Sequence, residues 1–226
     1  IRTLSNIYMV QFEKFLNNYD HFIWDFDGVI KESLEVKGIA YVDLFKDKIT
    51  TKESQKILDH HNQNIGESRY EKIPKYMHFC SLTINETEIR KYLHKYSEIV
   101  AYKVVNSPWV ECVRSYLENN ANLKNFFLVS STPQLELEFI IKKLNFDQIF
   151  KEIYGEPSKK KATFKKILRT YNGKNNNFIA LGDSTIDYKA AKSNGVDFLL
   201  RKTNYNKIFH KSQENVPKGW SFFDFH

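Results

Sequence analysis

The stretch His21-Phe22-Ile23-Trp24-Asp25-Phe26-Asp27-Gly28 constrains this chain more than any other. A short continuous run of Phe, Ile and Trp is the pattern of a strand buried on both faces, as in parallel sheets covered by helices. Side chains two apart on a strand point the same way. Asp25 and Asp27 therefore share one side at the strand's C-terminal end, where open α/β sheets bind ligands. Gly28 lets the backbone turn where a side chain would crowd a ligand. Alone, Asp-x-Asp is a weak signal, because aspartates also end strands and cap turns.

Four more strand-like runs follow, at Phe126–Val129, Ile149–Tyr154, Phe178–Leu181 and Asp197–Leu200. Helical patterns separate them. One spans about 109–120. Another opens with Thr132 as N-cap and Pro133 in the first turn and continues through Leu135, Phe139, Ile140 and Leu144. A basic one runs Lys159–Thr170 with Phe164, Ile167 and Leu168 inward, and a last one stops at Asn194-Gly195. Gly155-Glu156-Pro157 breaks the third strand. Ile7, Val10, Phe12, Phe15 and Leu16 predict a leading helix on the core, and Trp220, Phe222 and Phe223 a tail that docks on it. Strands alternating with helices imply a parallel sheet with right-handed crossovers. No Gly-x-Gly-x-x-Gly follows the first strand, which removes the dinucleotide-binding fingerprint.

From Lys31 to about Val104 strand-like runs stop. Thr50-x-x-Glu53 and Asn85-x-x-Glu88 read as capping boxes. Ile89, Tyr92, Leu93, Tyr96, Ile99 and Val100 then recur at threes and fours. Pro74 starts or kinks a helix, and Ser107-Pro108 marks the return. The interval is expected to be a helical insert of three or four helices, with residues 1–31 and 105–226 forming the α/β core and 32–104 a separate helical domain.

The 226 residues are 42% hydrophobic and 15% aromatic, ample for a packed core and unlike a disordered chain. No apolar run reaches a membrane-spanning length and no secretory signal is visible. Two cysteines, Cys80 and Cys112, give no metal spacing and suit the reducing cytosol. A net charge of +7 admits nucleic acid or small anions as partners. The basic residues are scattered rather than blocked, which favours a small anionic molecule.

Polar groups now stand at four strand ends: Asp25/Asp27, Ser130, Lys159–Lys161 and Asp183/Asp187. Asp25-x-Asp27-Gly28-Val29, then serine, lysine and Gly182-Asp183-x-x-x-Asp187, in that order, resembles the haloacid dehalogenase superfamily, mostly magnesium-dependent phosphatases, over about 21–201. The resemblance implies a Rossmann-like sheet of strand order 3-2-1-4-5, with the helical insert as a cap domain. It also implies Mg2+ on the Asp25 carboxylate, the Asp27 backbone carbonyl and the Asp183 carboxylate, with Asp187 supporting the ion or its waters. Asp187 can also be read as a first-turn helix acid. A hard cation held by oxygens balances the charge of a phosphate monoester. Asp25 is then the expected nucleophile and Asp27 the expected proton donor and acceptor. Ser130 and the Ser131 amide, near a helix N-terminus, are expected to bind phosphate oxygens. The superfamily's Gly-x-Pro-x-x-Lys pattern, met by Gly155, Pro157 and Lys160, points to Lys160 rather than Lys159 or Lys161 as the balancing cation.

In the insert, Gly66-Glu67-Ser68-Arg69-Tyr70 resembles a stretch of helical caps, so Arg69 is a candidate substrate contact or a surface ion pair. His60 and His61 read as helix surface, and Trp109 as core. The expected activity is hydrolysis of a small phosphomonoester in the cytoplasm. Sugar, glycerol or amino-alcohol phosphates and phosphoglycolate all stay open. A sugar phosphomutase would share Asp25, Asp27 and the cap. A dehalogenase does not pair its nucleophile with a second aspartate two residues on, and a non-catalytic binding protein would not need every catalytic position filled.

Overall fold

The computed structural model describes residues 2–171, 177–209 and 216–222. Helix α1 (Arg2–Leu16) and strand β1 (His21–Trp24) come first. Four helices follow, α2 (Leu34–Phe45), α3 (Thr51–Gln63), α4 (Arg69–Phe79) and α5 (Glu86–Asn106), with a 3-10 turn at Lys46–Lys48. The chain continues through α6 (Val113–Asn120), β2 (Asn125–Pro133), α7 (Gln134–Lys143), β3 (Glu152–Glu156), α8 (Lys160–Thr170), β4 (Phe178–Gly182), α9 (Thr185–Lys192), β5 (Asp197–Arg201) and β6 (Trp220–Phe222). No helix among the described residues is long and apolar enough to cross a membrane.

The sheet order is β3-β2-β1-β4-β5-β6. Its first five strands are parallel and follow the expected order, and β6 pairs antiparallel with β5. β1 lies at the centre, buried on both faces. On one face Ile23 packs with Phe127, Val129, Phe178, Ala180 and Phe198 beneath Phe164 and Ile167 of α8 and Ala190 and Ala191 of α9. On the other, Phe22 and Trp24 meet Tyr116 of α6 and Phe126 of β2. Phe12 of α1 packs on Tyr116 and Trp220. Each fully buried side chain of this size contributes roughly 1.5–3 kcal/mol relative to exposure. This is why the short run 22–24 can nucleate a sheet centre.

The chain divides into two compact units, Ile1–Glu32 with Trp109–His226, and Ser33–Pro108. In the second, α2 to α5 bury a tyrosine-rich interior. Tyr41 stacks on Tyr96 at 4.1 Å and meets Tyr76 edge-on at 5.0 Å. The Thr50/Glu53 capping box is complete, and Asn85 accepts from the Glu88 amide.

Several sequence expectations need correction. Ile7 and Val10 are exposed, and α1 docks through Phe12 and Leu16. Thr132 does not cap α7, which begins at Gln134 after an extended Pro133. β3 runs through Gly155 and Glu156 instead of breaking there. Of the two readings for Pro74, the helix start fails: Ser68 caps α4 and Pro74 lies inside it. His61 is buried in the helical unit rather than on a surface. Trp109 is half-buried against Lys31 and Phe146. Trp220 is buried, as a docked tail requires. Phe223 and the Phe222 side chain lie outside what is described.

Candidate active site

The site follows from strand register. Trp24 pairs with Leu181, and the Asp25 amide donates to the Leu181 carbonyl at 2.9 Å. Asp25 and Asp183 therefore leave adjacent strands within a residue or two of the same level. Carboxylate oxygens of Asp25, Asp183 and Asp187 all lie within 4.8 Å of one another, and all three residues are buried. Past Asp25 the backbone turns at Gly28 (φ 72°), whose amide donates to the Lys31 carbonyl at 2.8 Å. That turn leaves Asp27 half-buried.

Asp187 is placed by a capping box on α9. Its Oδ2 accepts from the Ser184 amide and hydroxyl, at 3.2 and 2.5 Å. Gly182 is required here by space: a Cβ on it would fall 2.4 Å from Asp187 Cβ. The other Asp187 oxygen accepts from Lys160 Nζ at 2.5 Å, and the same ammonium lies 2.8 Å from Asp25 Oδ1. Asp187 is thus a helix cap and an anchor for Lys160 at once. Geometry separates the three lysines. Lys160 is 7% exposed, whereas Lys159 is 80% exposed beside Glu156 and Lys161 is exposed.

Charge is out of balance in this pocket. Burial pushes the Asp25 carboxyl up to about 7, against the pull of Lys160 and with Asp187 adding to the rise. Burial, then the charge of Asp25, holds Asp183 well above the usual carboxylate range. Burial works to lower Lys160, but Asp187 and Asp25 overcome it and hold the ammonium above its ordinary value. One lysine does not neutralise this many carboxylates. Asp183 Oδ2 is buried without a hydrogen-bond partner among the described residues. An orphaned buried oxygen beside two other carboxylates fits a hard divalent cation.

The β2 end departs from a regular strand. Its ladder to β3 shifts register between Val129 and Pro133, where four steps on β2 match two on β3. Such bulges re-aim side chains next to functional sites. Ser130 is 1% exposed, and its Oγ accepts from the Thr132 amide at 3.1 Å, which leaves its hydroxyl hydrogen to give. Ser131 lies in the bulge, three residues before α7, so its amide is not at a helix N-terminus. Thr132 turns its hydroxyl to Asp27 Oδ2 at 3.2 Å, which explains why it does not cap the helix.

The core thus brings together Asp25, Lys160, Asp183 and Asp187, and Thr132 joins Asp27 to Ser130 beside them. Arg69 belongs to the helical unit, where it is buried, lies over Tyr96 and donates to Ser97 at 2.9 Å. Two contributors escaped the sequence reading. Thr132 has the sequence pattern of a cap and instead bonds Asp27. Asn206, in the loop after β5, donates to the backbone carbonyls of Asp183 and Arg201, both at 2.8 Å, and holds the Gly182-Asp183 turn. A lone asparagine in a polar loop carries no signal for such a role, whereas the Thr132 position next to Ser130 did.

A profile of the family described as haloacid dehalogenase-like hydrolase matches residues 22–200. No curated protein matches significantly. Among solved structures, a predicted phosphoglycolate phosphatase from Haemophilus somnus is similar at TM-score 0.65 and 18% identity, covering 80% of this chain and 84% of the other. A subfamily IA hydrolase of the superfamily from Geobacter sulfurreducens is similar at TM-score 0.57 and 15% identity, covering 80% and 86%. A protein from Thermotoga maritima proposed to be a β-phosphoglucomutase gives 0.61 and 20%, covering 79% and 82%. At these identities the structural likeness is one of fold. The profile match spans most of the sequence and both aspartate motifs, and the chain belongs to the haloacid dehalogenase-like hydrolase family.

Proposed function

We propose that this protein is a magnesium-dependent phosphatase that hydrolyses a small phosphomonoester through an aspartyl-phosphate on Asp25. The observation that carries the reading is the shared position of Asp25, Lys160, Asp187 and the orphaned Asp183 oxygen at the ends of β1 and β4. Magnesium, held by the Asp25 and Asp183 carboxylates and the Asp27 carbonyl, supplies positive charge that a phosphate dianion and a carboxylate nucleophile both need. Lys160 holds Asp25 in place and balances charge on the transferring phosphoryl group. The Ser130 hydroxyl donates to a phosphoryl oxygen, and the bulge backbone at Ser131 offers a second donor. Asp25 attacks phosphorus, and Asp27 gives a proton to the leaving oxygen. Asp27 then takes a proton from the water that cleaves the phosphoenzyme.

The helical unit, inserted between β1 and α6, is the proposed cap, with Arg69 among its substrate-selecting residues. Its deletion should lose the preferred substrate before it loses an activated aryl phosphate. The two free cysteines, Cys80 and Cys112, support a reducing, cytoplasmic setting for the enzyme. A panel of sugar, glycerol, amino-alcohol and glycolate phosphates, assayed with and without Mg2+, tests the reading. Phosphate release that needs Mg2+ and is lost in Asp25→Asn supports it, and no release from any ester refutes it. A mutase would yield an isomerised sugar phosphate in place of free phosphate. A binding protein would show steeply salt-dependent affinity for polynucleotide and no turnover.

A further inference from the structure

We propose that Thr132 is the positioning residue of the proton donor, its hydroxyl holding one Asp27 oxygen so that the other serves the leaving group. The inference rests on the phosphatase reading above and adds a residue to it. Asp27 is half-buried, just past a glycine turn, and only two residues from Asp25. A carboxylate so placed is drawn toward the Lys160 ammonium and toward any cation bound by Asp25 and Asp183. The hydrogen bond from Thr132 Oγ1 to Asp27 Oδ2, at 3.2 Å, pulls it the other way, toward β2.

Thr132 is itself tightly fixed. It is 1% exposed, and its amide donates to Ser130 Oγ at 3.1 Å. Its carbonyl lies where a Cβ on residue 155 would approach to 2.5 Å, so only glycine fits opposite it. Gly155 is held there by its amide, which donates to Gln134 Oε1. A β-branched side chain on a fixed backbone has little χ1 freedom, so its hydroxyl is presented from a rigid place. The two-residue surplus in β2 falls between Val129 and Pro133, in the segment that carries that hydroxyl.

In the first step, a carboxylate oxygen of Asp25 forms the bond to phosphorus and the ester P–O bond breaks. The electron pair stays on the leaving oxygen, which takes the proton from Asp27. Thr132 neither gains nor loses an atom, and its hydroxyl donates to Asp27 before and after. Its removal should therefore matter most where the leaving oxygen needs that proton.

The test compares wild type, Thr132→Val and Thr132→Ser with saturating Mg2+, reading kcat/KM for phenyl phosphate and p-nitrophenyl phosphate. That ratio reports steps up to departure of the leaving group. For Thr132→Val the expected loss is on the order of tenfold with phenyl phosphate and under about threefold with p-nitrophenyl phosphate, whose leaving group departs unprotonated. Thr132→Ser should stay within about threefold of wild type on both, since it keeps the hydroxyl. Equal loss on both esters, an unaffected Val variant, or a Ser variant as poor as Val would overturn the assignment. A wild type inert toward both esters and the whole panel would overturn the phosphatase reading and this inference with it.

Discussion

Lys160 is a buried ammonium, and its surroundings say what its loss should do. It joins Asp25 and Asp187, two buried carboxylates, at 2.8 and 2.5 Å. Lys160→Ala should lower kcat by a factor on the order of a hundred or more, as loss of a preorganised electrostatic group does. Steady-state rates of Lys159→Ala and Lys161→Ala, both altered at exposed positions, should stay near wild type. The reverse pattern would assign the wrong lysine. Gly182 makes a subtler case, because its constraint is space and not conformation. The Cβ of Gly182→Ala would displace Asp187 and, through it, Lys160. Overpacking of this kind costs about 1–3 kcal/mol of stability. Urea unfolding beside kinetics should show activity falling further, on the order of a hundredfold, because catalytic misplacement is amplified. The acidic residues of this site were legible from the order and spacing of their motifs together with the family resemblance, since Asp-x-Asp alone also ends strands and caps turns. Thr132 and Asn206 were not, because a bulge and a long-range side-chain to backbone bond leave no periodic trace.

Helix α4 carries an unusual element-scale burden. Lys72 is 1% exposed inside the helical unit, with Nζ 3.2 Å from His61 Nδ1. The other His61 nitrogen lies 3.3 Å from the Leu34 carbonyl, and Tyr41 packs beside both side chains. Burial lowers the Lys72 pKa to about 8, with Glu67 partly opposing and Lys37 and Lys75 adding to the fall. Below pH 8 the ammonium is charged in both folded and unfolded chains, and the cost of burying it is present in full. Above the ordinary lysine value both forms are neutral and the cost is gone. Stability should therefore rise between about pH 8 and 10.5, by up to ~3 kcal/mol. Urea midpoints of wild type and Lys72→Met, compared across that window, isolate this group from the tyrosines. The variant should be the more stable near pH 7 and lose that advantage by pH 10, and parallel pH profiles would contradict the account. The helical character of this insert was readable from its capping boxes and from the Tyr92, Tyr96 and Val100 spacing. Its buried lysine and histidine were not, because charged residues on an amphipathic pattern look solvent-facing until the tyrosines that enclose them are in place. Strand limits failed for a related reason. β3 continues through Gly155 because its pairing with β2 resumes at Glu156, opposite Pro133, which local propensity does not show.

For the whole molecule, register converts a chain of separate motifs into one site. Residues 25, 130 and 183 are far apart in sequence and stand at the aligned C-terminal ends of the neighbouring strands β1, β2 and β4, and Lys160 reaches Asp25 from the start of α8. A cation that binds only this folded arrangement must stabilise it. Mg2+ at about a hundred times its Kd should add ~2.7 kcal/mol to unfolding, seen as a rise in Tm. Asp183→Asn should abolish the rise while leaving the metal-free protein folded, and an undiminished rise would place the ion elsewhere. The central claim is covalent, and it has a direct measurement. Protein quenched in acid during turnover of a good substrate, then digested and weighed by mass spectrometry, should carry one phosphoryl group on the peptide that contains Asp25. Borohydride should reduce that acyl phosphate, converting Asp25 to homoserine and leaving Asp27 intact. Homoserine at position 27 would reverse the roles, and phosphate release in a single turnover with no phosphopeptide would mean that water attacks the ester directly.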